Sequence, residues 1–150
     1  QFQQAGGALS GVACWAPVSN VFARFPWGPA LKDWEASDRM EVLNGRTGQT
    51  LVHPYAFYLD AKARESELNI ESAATALTCP VLVVHGTDDA AVGLHEGEAI
   101  ASWATQGTMA MVEGANHVFG MAHPWKDATQ WPEHLAQAWE AQKKWLRLLA

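Results

Sequence analysis

Two short apolar runs, each followed at once by a tight turn and a polar residue, constrain most strongly how this chain can fold. The first run lies in PVLVVHGTDD, residues 80–89, and delivers Asp89. The second, residues 108–112, continues into EGANHVFG at 113–120, which carries His117. Apolar runs of this length with branched residues, bounded by proline or glycine, predict buried β-strands over 81–85 and 108–112.

Helical patterns separate the predicted strands. Residues 95–105 place Ala99, Ile100, Trp103 and Ala104 on one face, with Gly107 expected at the C-terminal cap. An earlier apolar run at 9–16 predicts another strand, and helices are expected over 55–68, over 70–77 and from Pro132 onward. Helices between strands imply parallel pairing with right-handed crossovers, so the chain is predicted to be α/β.

The 150 residues fit one domain. Residues 18–53 are predicted to be irregular apart from a short helix over 30–39, because prolines, glycines and the turn-like NGRTG at 44–48 interrupt any periodic pattern. Residues 18–68 therefore form an insert within the predicted domain.

Asp89 and His117 are the candidate catalytic residues. Each follows the carboxyl end of a predicted strand, where ligands and catalytic groups of parallel sheets gather. A carboxylate there can hold an imidazole in one tautomer, and the imidazole can act as a general base and then as a general acid. Asp88 is the alternative acid. Taken singly, the two aspartates also suit a solvated turn that caps the following helix. His117 taken singly suits a surface or packing histidine in a loop.

A nucleophile to complete a triad is not evident in this sequence, which lacks a G-x-S-x-G motif. Ser10 and Ser19 are the serines near the first predicted strand, and no glycine elbow surrounds either of them. Cys14 points from the middle of that strand and is a still weaker candidate nucleophile. We therefore expect the nucleophile to lie outside this chain.

Composition excludes several functional classes. A net charge of −6 without a basic run argues against nucleic acid and anionic membrane partners. No apolar stretch approaches the ~20 residues of a membrane span. Cys14 and Cys79 suit buried thiols better than a disulfide, which favours a reducing, cytoplasmic compartment. His95 and Glu96 could suggest metal ligands, but no ligand spacing recurs, so neither metal nor cofactor is expected.

The motifs at 80–89 and 113–120, with NGRTGQ at 44–49 and HPW at 123–125, resemble the C-terminal half of α/β-hydrolases. The similarity runs from about residue 9 to the end. It is strongest toward dienelactone-hydrolase-like and prolyl-oligopeptidase-like (family S9) serine hydrolases. The resemblance implies that the three strands are the last three of the usual eight, with Asp89 as the family acid and His117 as the base.

The same resemblance makes residues 18–68 a cap-like insert. Phe25, Trp27 and Trp34 would line an apolar substrate wall there, or would pack the cap onto the body. The implied activity is Ser-His-Asp acyl transfer on a small ester or peptide, with the serine on an N-terminal half that this chain lacks. Alone, the chain is expected to be inactive and to self-associate through an exposed strand 9–16. The alternative is a non-catalytic binding or assembly module that keeps the hydrolase fold.

Overall fold

The computed structural model describes residues 7–45, 47–122, 124–125 and 129–149. Arg46 and His123, which belong to two of the motifs above, lie outside the described residues. The described chain divides into two compact units. The first contains the residues up to Ser19 and those from Ile70 onward, and the second is Asn20–Asn69.

The first unit is built on a parallel three-stranded sheet. Its strands are β1 (Val12–Trp15), β4 (Val81–Gly86) and β5 (Gly107–Val112), in the order β1-β4-β5. Three helices complete the unit: α3 (Ile70–Thr75), α4 (Leu94–Trp103) and α5 (Glu133–Arg147). The predicted α/β class with parallel strands and crossover helices is confirmed.

Strand β4 lies in the centre of the sheet, and every one of its residues is buried. Because side chains alternate along a strand, its two faces enter different cores. Leu82 and Val84 pack in the cluster that includes Trp145 of α5, whereas Val81 and Val83 pack with Ile100 of α4. Helices therefore cover both faces, which explains why this strand reads as an uninterrupted apolar run.

The second unit contains a β-hairpin that the sequence analysis missed. Strands β2 (Met40–Leu43) and β3 (Thr50–His53) pair antiparallel, between helices α1 (Pro29–Ser37) and α2 (Ala56–Ala63). The Asn44 carbonyl accepts hydrogen bonds from the N–H groups of Thr47 and Gly48 and so closes the turn. The prediction of an irregular segment was wrong because glycines that join two strands were taken to interrupt regular structure.

Several element boundaries also differ from the predictions. Gly107 is the first residue of β5 rather than a helix cap. A Cβ atom added there would meet the Ala101 carbonyl oxygen at 1.9 Å, so the position has room only for glycine. Strand β1 is shorter than the predicted strand 9–16, and helix α2 ends at Ala63 rather than at residue 68. Pro132 precedes α5 as its N-cap instead of occupying the first helical position.

None of the helices in the described part of the chain is long and apolar enough to cross a membrane. Cys14 and Cys79 are both free thiols. Cys79 is buried and Cys14 half-buried, and burial raises the pKa of the Cys14 thiol. A thiol held in its protonated form is a weak nucleophile, in agreement with the low rank given to Cys14.

Candidate active site

Asp89 lies in the turn that follows β4. Its Oδ1 accepts hydrogen bonds from the backbone N–H groups of Ala91 at 2.9 Å and Val92 at 2.8 Å. These two bonds orient the carboxylate relative to its own turn. The Asp89 side chain has no solvent exposure, whereas its neighbour Asp88 is exposed.

His117 lies in the loop that follows β5, and hydrogen bonds join this loop to the turn after β4. The Asp88 N–H donates to the Ala115 carbonyl at 3.0 Å, and the Gly114 N–H donates to Thr87 Oγ1 at 2.8 Å. Gly114 has φ +70°, a conformation that glycine adopts without steric cost. The two loops are therefore held side by side at the carboxyl edge of the sheet.

The two candidate residues are in direct contact. His117 Nδ1 lies 2.9 Å from Asp89 Oδ2, and because a carboxylate can only accept, Nδ1 carries the proton. The His117 side chain is 41% exposed while that of Asp89 is fully buried. The ring is thus fixed at Nδ1, and Nε2 is the nitrogen left to exchange a proton with a substrate or a nucleophile.

The environment of Asp89 favours the ionised carboxyl. Burial by itself raises the pKa of this carboxyl, but hydrogen bonds from the Val92 N–H, from His117 and from the Ala91 N–H outweigh it. The net result is a pKa of Asp89 below the ordinary aspartate value. An ionised partner is what an imidazole needs if it is to accept a second proton during acid–base catalysis.

A second histidine, His85, contacts the same carboxylate. Its Nε2 lies 3.3 Å from Asp89 Oδ2 and 2.9 Å from the Val92 carbonyl oxygen. The contact of His85 with Asp89 was not predicted from the sequence. The signal was available in the spacing, since the strand ends at Gly86 and the turn brings residue 89 back over its end.

Ring packing and further hydrogen bonds hold the loop that carries His117. Phe119 is buried with φ +54°, and its ring packs edge-on against Trp15 of β1 at 5.3 Å between centroids. Trp15 Nε1 in turn donates to Gln142 Oε1 of α5 at 2.6 Å. Asn116 Oδ1 accepts the N–H groups of Val118 and Gly120, which closes the turn. The loop is therefore anchored to both β1 and α5.

Ser19 and Glu96, which the sequence analysis considered for separate roles, lie together. Glu96 is buried in the first turn of α4, and its Oε2 accepts the Ser19 N–H at 2.9 Å and the Ser19 hydroxyl at 3.3 Å. This contact fixes the last residue of the first unit before the chain continues into Asn20–Asn69. Among the described residues, no group of three or more His, Cys, Asp or Glu side chains is arranged to hold a metal ion.

The candidate substrate residues occupy different environments within the second unit. Trp34 is 2% exposed and donates from Nε1 to the His53 carbonyl at 2.9 Å, whereas Trp27 is 84% exposed. Phe25 lies in an aromatic cluster with Trp34, and the other rings that it contacts are Phe22, Phe57 and Tyr58. Trp34 thus packs inside this unit, and Trp27 is the most exposed of the three candidates.

Comparison with known proteins gives matches to solved esterase structures. Est1E from Butyrivibrio proteoclasticus superposes with a TM-score of 0.64 at 16% identity, over 94% of this chain and 51% of its own length. A thermophilic esterase from Thermogutta terrifontis superposes with a TM-score of 0.56 at 16% identity, over 99% of this chain and 59% of its own length. The esterase domain of a Rhodothermus marinus protein superposes with a TM-score of 0.54 at 14% identity, over 93% of this chain and 52% of its own length. This chain has part of an α/β-hydrolase fold.

The chain spans between half and three-fifths of the length of these solved structures. No protein-family model matches the sequence, and neither does any curated protein. Asp89 and His117 lie in turns that follow two neighbouring parallel strands at the carboxyl edge of the sheet and contact each other there.

Proposed function

We propose that this chain is the acid/base half of a serine hydrolase. The observation that carries the proposal is the 2.9 Å contact between His117 Nδ1 and the buried carboxylate of Asp89. Acid and base follow the nucleophile along the chain in α/β-hydrolases, so a chain that supplies both would be the C-terminal half. The half-length match to solved esterases supports this assignment.

The proposed chemistry is acyl transfer. A serine hydroxyl from the N-terminal half would attack the carbonyl carbon of the substrate while His117 Nε2 accepts the hydroxyl proton. The same nitrogen would then return that proton to the leaving group. Water would repeat the cycle on the acyl-enzyme. Asp89 stays ionised throughout, holds Nδ1–H and stabilises the imidazolium.

The proposed substrate class is a small ester, with peptides second. The esterases among the structural matches favour esters. The proposal also assigns the parent protein to the dienelactone-hydrolase-like or family S9 branch. Residues 18–68 would form the cap. Within it Trp27 is the best candidate for contact with an apolar acyl or alcohol group, because Trp34 is already buried by its neighbours.

The proposal is tested in the protein that the complete reading frame encodes, extended upstream of residue 1. An in-frame G-x-S-x-G is expected there. With p-nitrophenyl esters as substrates, His117→Ala and Asp89→Asn should each lower kcat by about 10⁴-fold, the scale on which triad members act. Asp88→Asn is the matched control, because Asp88 is exposed and adjacent, and should leave kcat unchanged.

The 150-residue chain is tested separately with a fluorophosphonate probe. No residue should be labelled, because the nucleophile would lie outside this chain. Stoichiometric labelling would contradict the proposal, and mapping of the adduct would identify the nucleophile. An extended protein without an upstream serine elbow, and without esterase activity, would instead support a non-catalytic binding or assembly module.

A further inference from the structure

Two imidazole rings contact one carboxylate oxygen in this structure. Oδ2 of Asp89 lies 2.9 Å from His117 Nδ1 and 3.3 Å from His85 Nε2. His117 is 41% exposed on its side-chain atoms, while His85 has no exposure at all. The proposed reaction uses His117 and gives His85 no part, so the buried ring requires its own explanation.

The neighbours of His85 determine its tautomer. Both groups near Nε2 are acceptors, namely the Val92 carbonyl at 2.9 Å and the Asp89 carboxylate. Nε2 must therefore carry a proton, which it donates to the Val92 carbonyl while the carboxylate oxygen lies close beside it. Nδ1 is buried and has no hydrogen-bond partner among the described residues. A proton on Nδ1 would thus be a buried donor without an acceptor, which is unfavourable.

Helix α4 closes the space around Nδ1. A Cβ atom added at Gly97 would lie 2.4 Å from His85 Nδ1 and 3.2 Å from His85 Cγ. The ring is consequently held between α4 and the turn at residues 89–92, with its donor nitrogen facing that turn. The absence of a side chain at residue 97 is what allows the ring to occupy this position.

With His85 included, four donors surround the Asp89 carboxylate. Oδ1 accepts the N–H groups of Ala91 and Val92, Oδ2 accepts the His117 ring, and His85 Nε2 lies 3.3 Å from Oδ2. His85 also binds the carbonyl of Val92, the residue whose N–H binds Oδ1. The buried ring thus connects both ends of the turn, and the carboxylate cannot rotate away from His117 without losing several hydrogen bonds.

We propose that His85 is a positioning residue, a neutral Nε2–H donor from the core that keeps the Asp89 carboxylate ionised and directed at His117. Its importance for catalysis rests on the proposed function, but the contact can be measured without turnover. Failure of the extended protein to hydrolyse esters would overturn the proposed function and leave this inference intact.

The first test is the tautomer of His85 in the unmodified 150-residue chain. ¹⁵N NMR of the histidine rings at pH 7, assigned with single variants, should show Nε2 of His85 protonated and Nδ1 unprotonated. A ring with its proton on Nδ1 instead of Nε2 would overturn the proposal. Variants of the other five histidines supply the assignment, so this measurement needs no substitution at residue 85.

The second test separates the donor from the volume of the ring. His85→Leu keeps an apolar side chain of comparable size without a donor, and His85→Gln restores an N–H donor. The readout is the midpoint of the Asp89 ¹³Cγ titration, assigned by its disappearance in Asp89→Asn. The midpoint should shift upward in His85→Leu and return toward the unmodified chain in His85→Gln.

Gly97→Ala is a third variant that acts on the ring from outside the site. Its added methyl group should displace His85 and shift the Asp89 midpoint upward, although alanine favours the helix by about 1 kcal/mol over glycine. If His85→Leu and Gly97→Ala both leave the Asp89 titration unchanged, His85 merely fills space and the proposal is wrong. If His85→Leu does not fold, Gly97→Ala and the tautomer still decide the question.

Discussion

Oδ2 of Asp89 lies 2.9 Å from Nδ1 of His117, across 28 residues of sequence that include helix α4 and strand β5. The contact exists because the turns after β4 and β5 are hydrogen-bonded to each other, through Thr87 and Asp88 on one side and Gly114 and Ala115 on the other. The carboxylate is buried and the imidazole is partly exposed. That asymmetry suits a pair in which one member stays charged and the other exchanges protons.

The lowered pKa of Asp89 predicts an acid-sensitive fold. A carboxyl whose pKa is lower in the folded than in the unfolded chain contributes stability above its unfolded pKa, near 3.9, and loses it as pH falls through the folded value. Urea unfolding from pH 7 down to pH 2 should show this loss below about pH 4. Asp89→Asn should be less stable by about 1–3 kcal/mol at pH 7, since the amide N–H group must then face either the His117 N–H or the two backbone N–H groups.

The same series provides its own control. In Asp89→Asn the difference from the unmodified chain should shrink as pH falls, because both forms then carry an uncharged residue at position 89. Asp88→Asn should follow the unmodified profile. A constant difference across the whole pH range would show that the charge of Asp89 contributes nothing to stability.

Gly86→Ala should separate the two loops. A Cβ atom at Gly86 would lie 2.2 Å from the Ala115 carbonyl oxygen, which is backbone and cannot turn aside. We expect a loss of about 1–3 kcal/mol in urea unfolding, the usual cost of overpacking. The NMR signals of the His117 ring should shift as well. Gly45→Ala, with no atom within 4 Å of its added Cβ, is the control and should change neither quantity.

Phe119 is expected to contribute strongly to the stability of the loop that carries His117. Phe119→Ala removes a buried ring and its contact with Trp15, at a cost of about 3–5 kcal/mol. Phe119→Leu should lose less, because most of the apolar volume is kept. Thermal unfolding gives the stability, and hydrogen exchange of the amides from 116 to 120 tests whether the loop loosens first. Equal losses for both variants would rule out packing as the cause.

The free edge of β1 should promote self-association. The N–H groups of Val12 and Ala16 bond to carbonyls of Pro80 and Val84, so by alternation the N–H of Ala13 faces the opposite edge. No strand among the described residues pairs with that edge. Light scattering should detect dimers or larger species that form as concentration rises.

Ala13→Pro tests this interface, because it removes the outward N–H and leaves the bonds to β4 in place. The variant should shift the chain toward monomer while its circular dichroism stays the same. An unmodified chain that remains monomeric at high concentration would contradict the prediction, and so would association that the variant does not reduce.

Local sequence patterns predicted much of this structure. The run at 81–86 is apolar on both faces, so a central parallel strand was readable from sequence alone, and with it the α/β class and the positions of Asp89 and His117 after strand ends. The choice of Asp89 over Asp88 rested on weaker grounds. The structure now supplies a geometric reason, since Asp89 is buried beside the ring and Asp88 is exposed.

Other features depended on long-range contacts. The hairpin of β2 and β3 is held by pairing across a turn, and its short strands give no strong periodic signal of their own. His85 and Gly97 are adjacent only because α4 packs on the face of β4 that carries Val81 and Val83. Ser19 meets Glu96 for the same kind of reason, across 77 residues.

In the first unit the sequence by itself determined which segments are strands and helices and where two polar residues follow strand ends, because burial and periodicity are encoded locally there. The tertiary structure alone decided which side chains surround the Asp89 carboxylate. Those partners come from a strand, a turn and a distant loop that approach one another only when the sheet assembles and α4 and α5 cover its two faces.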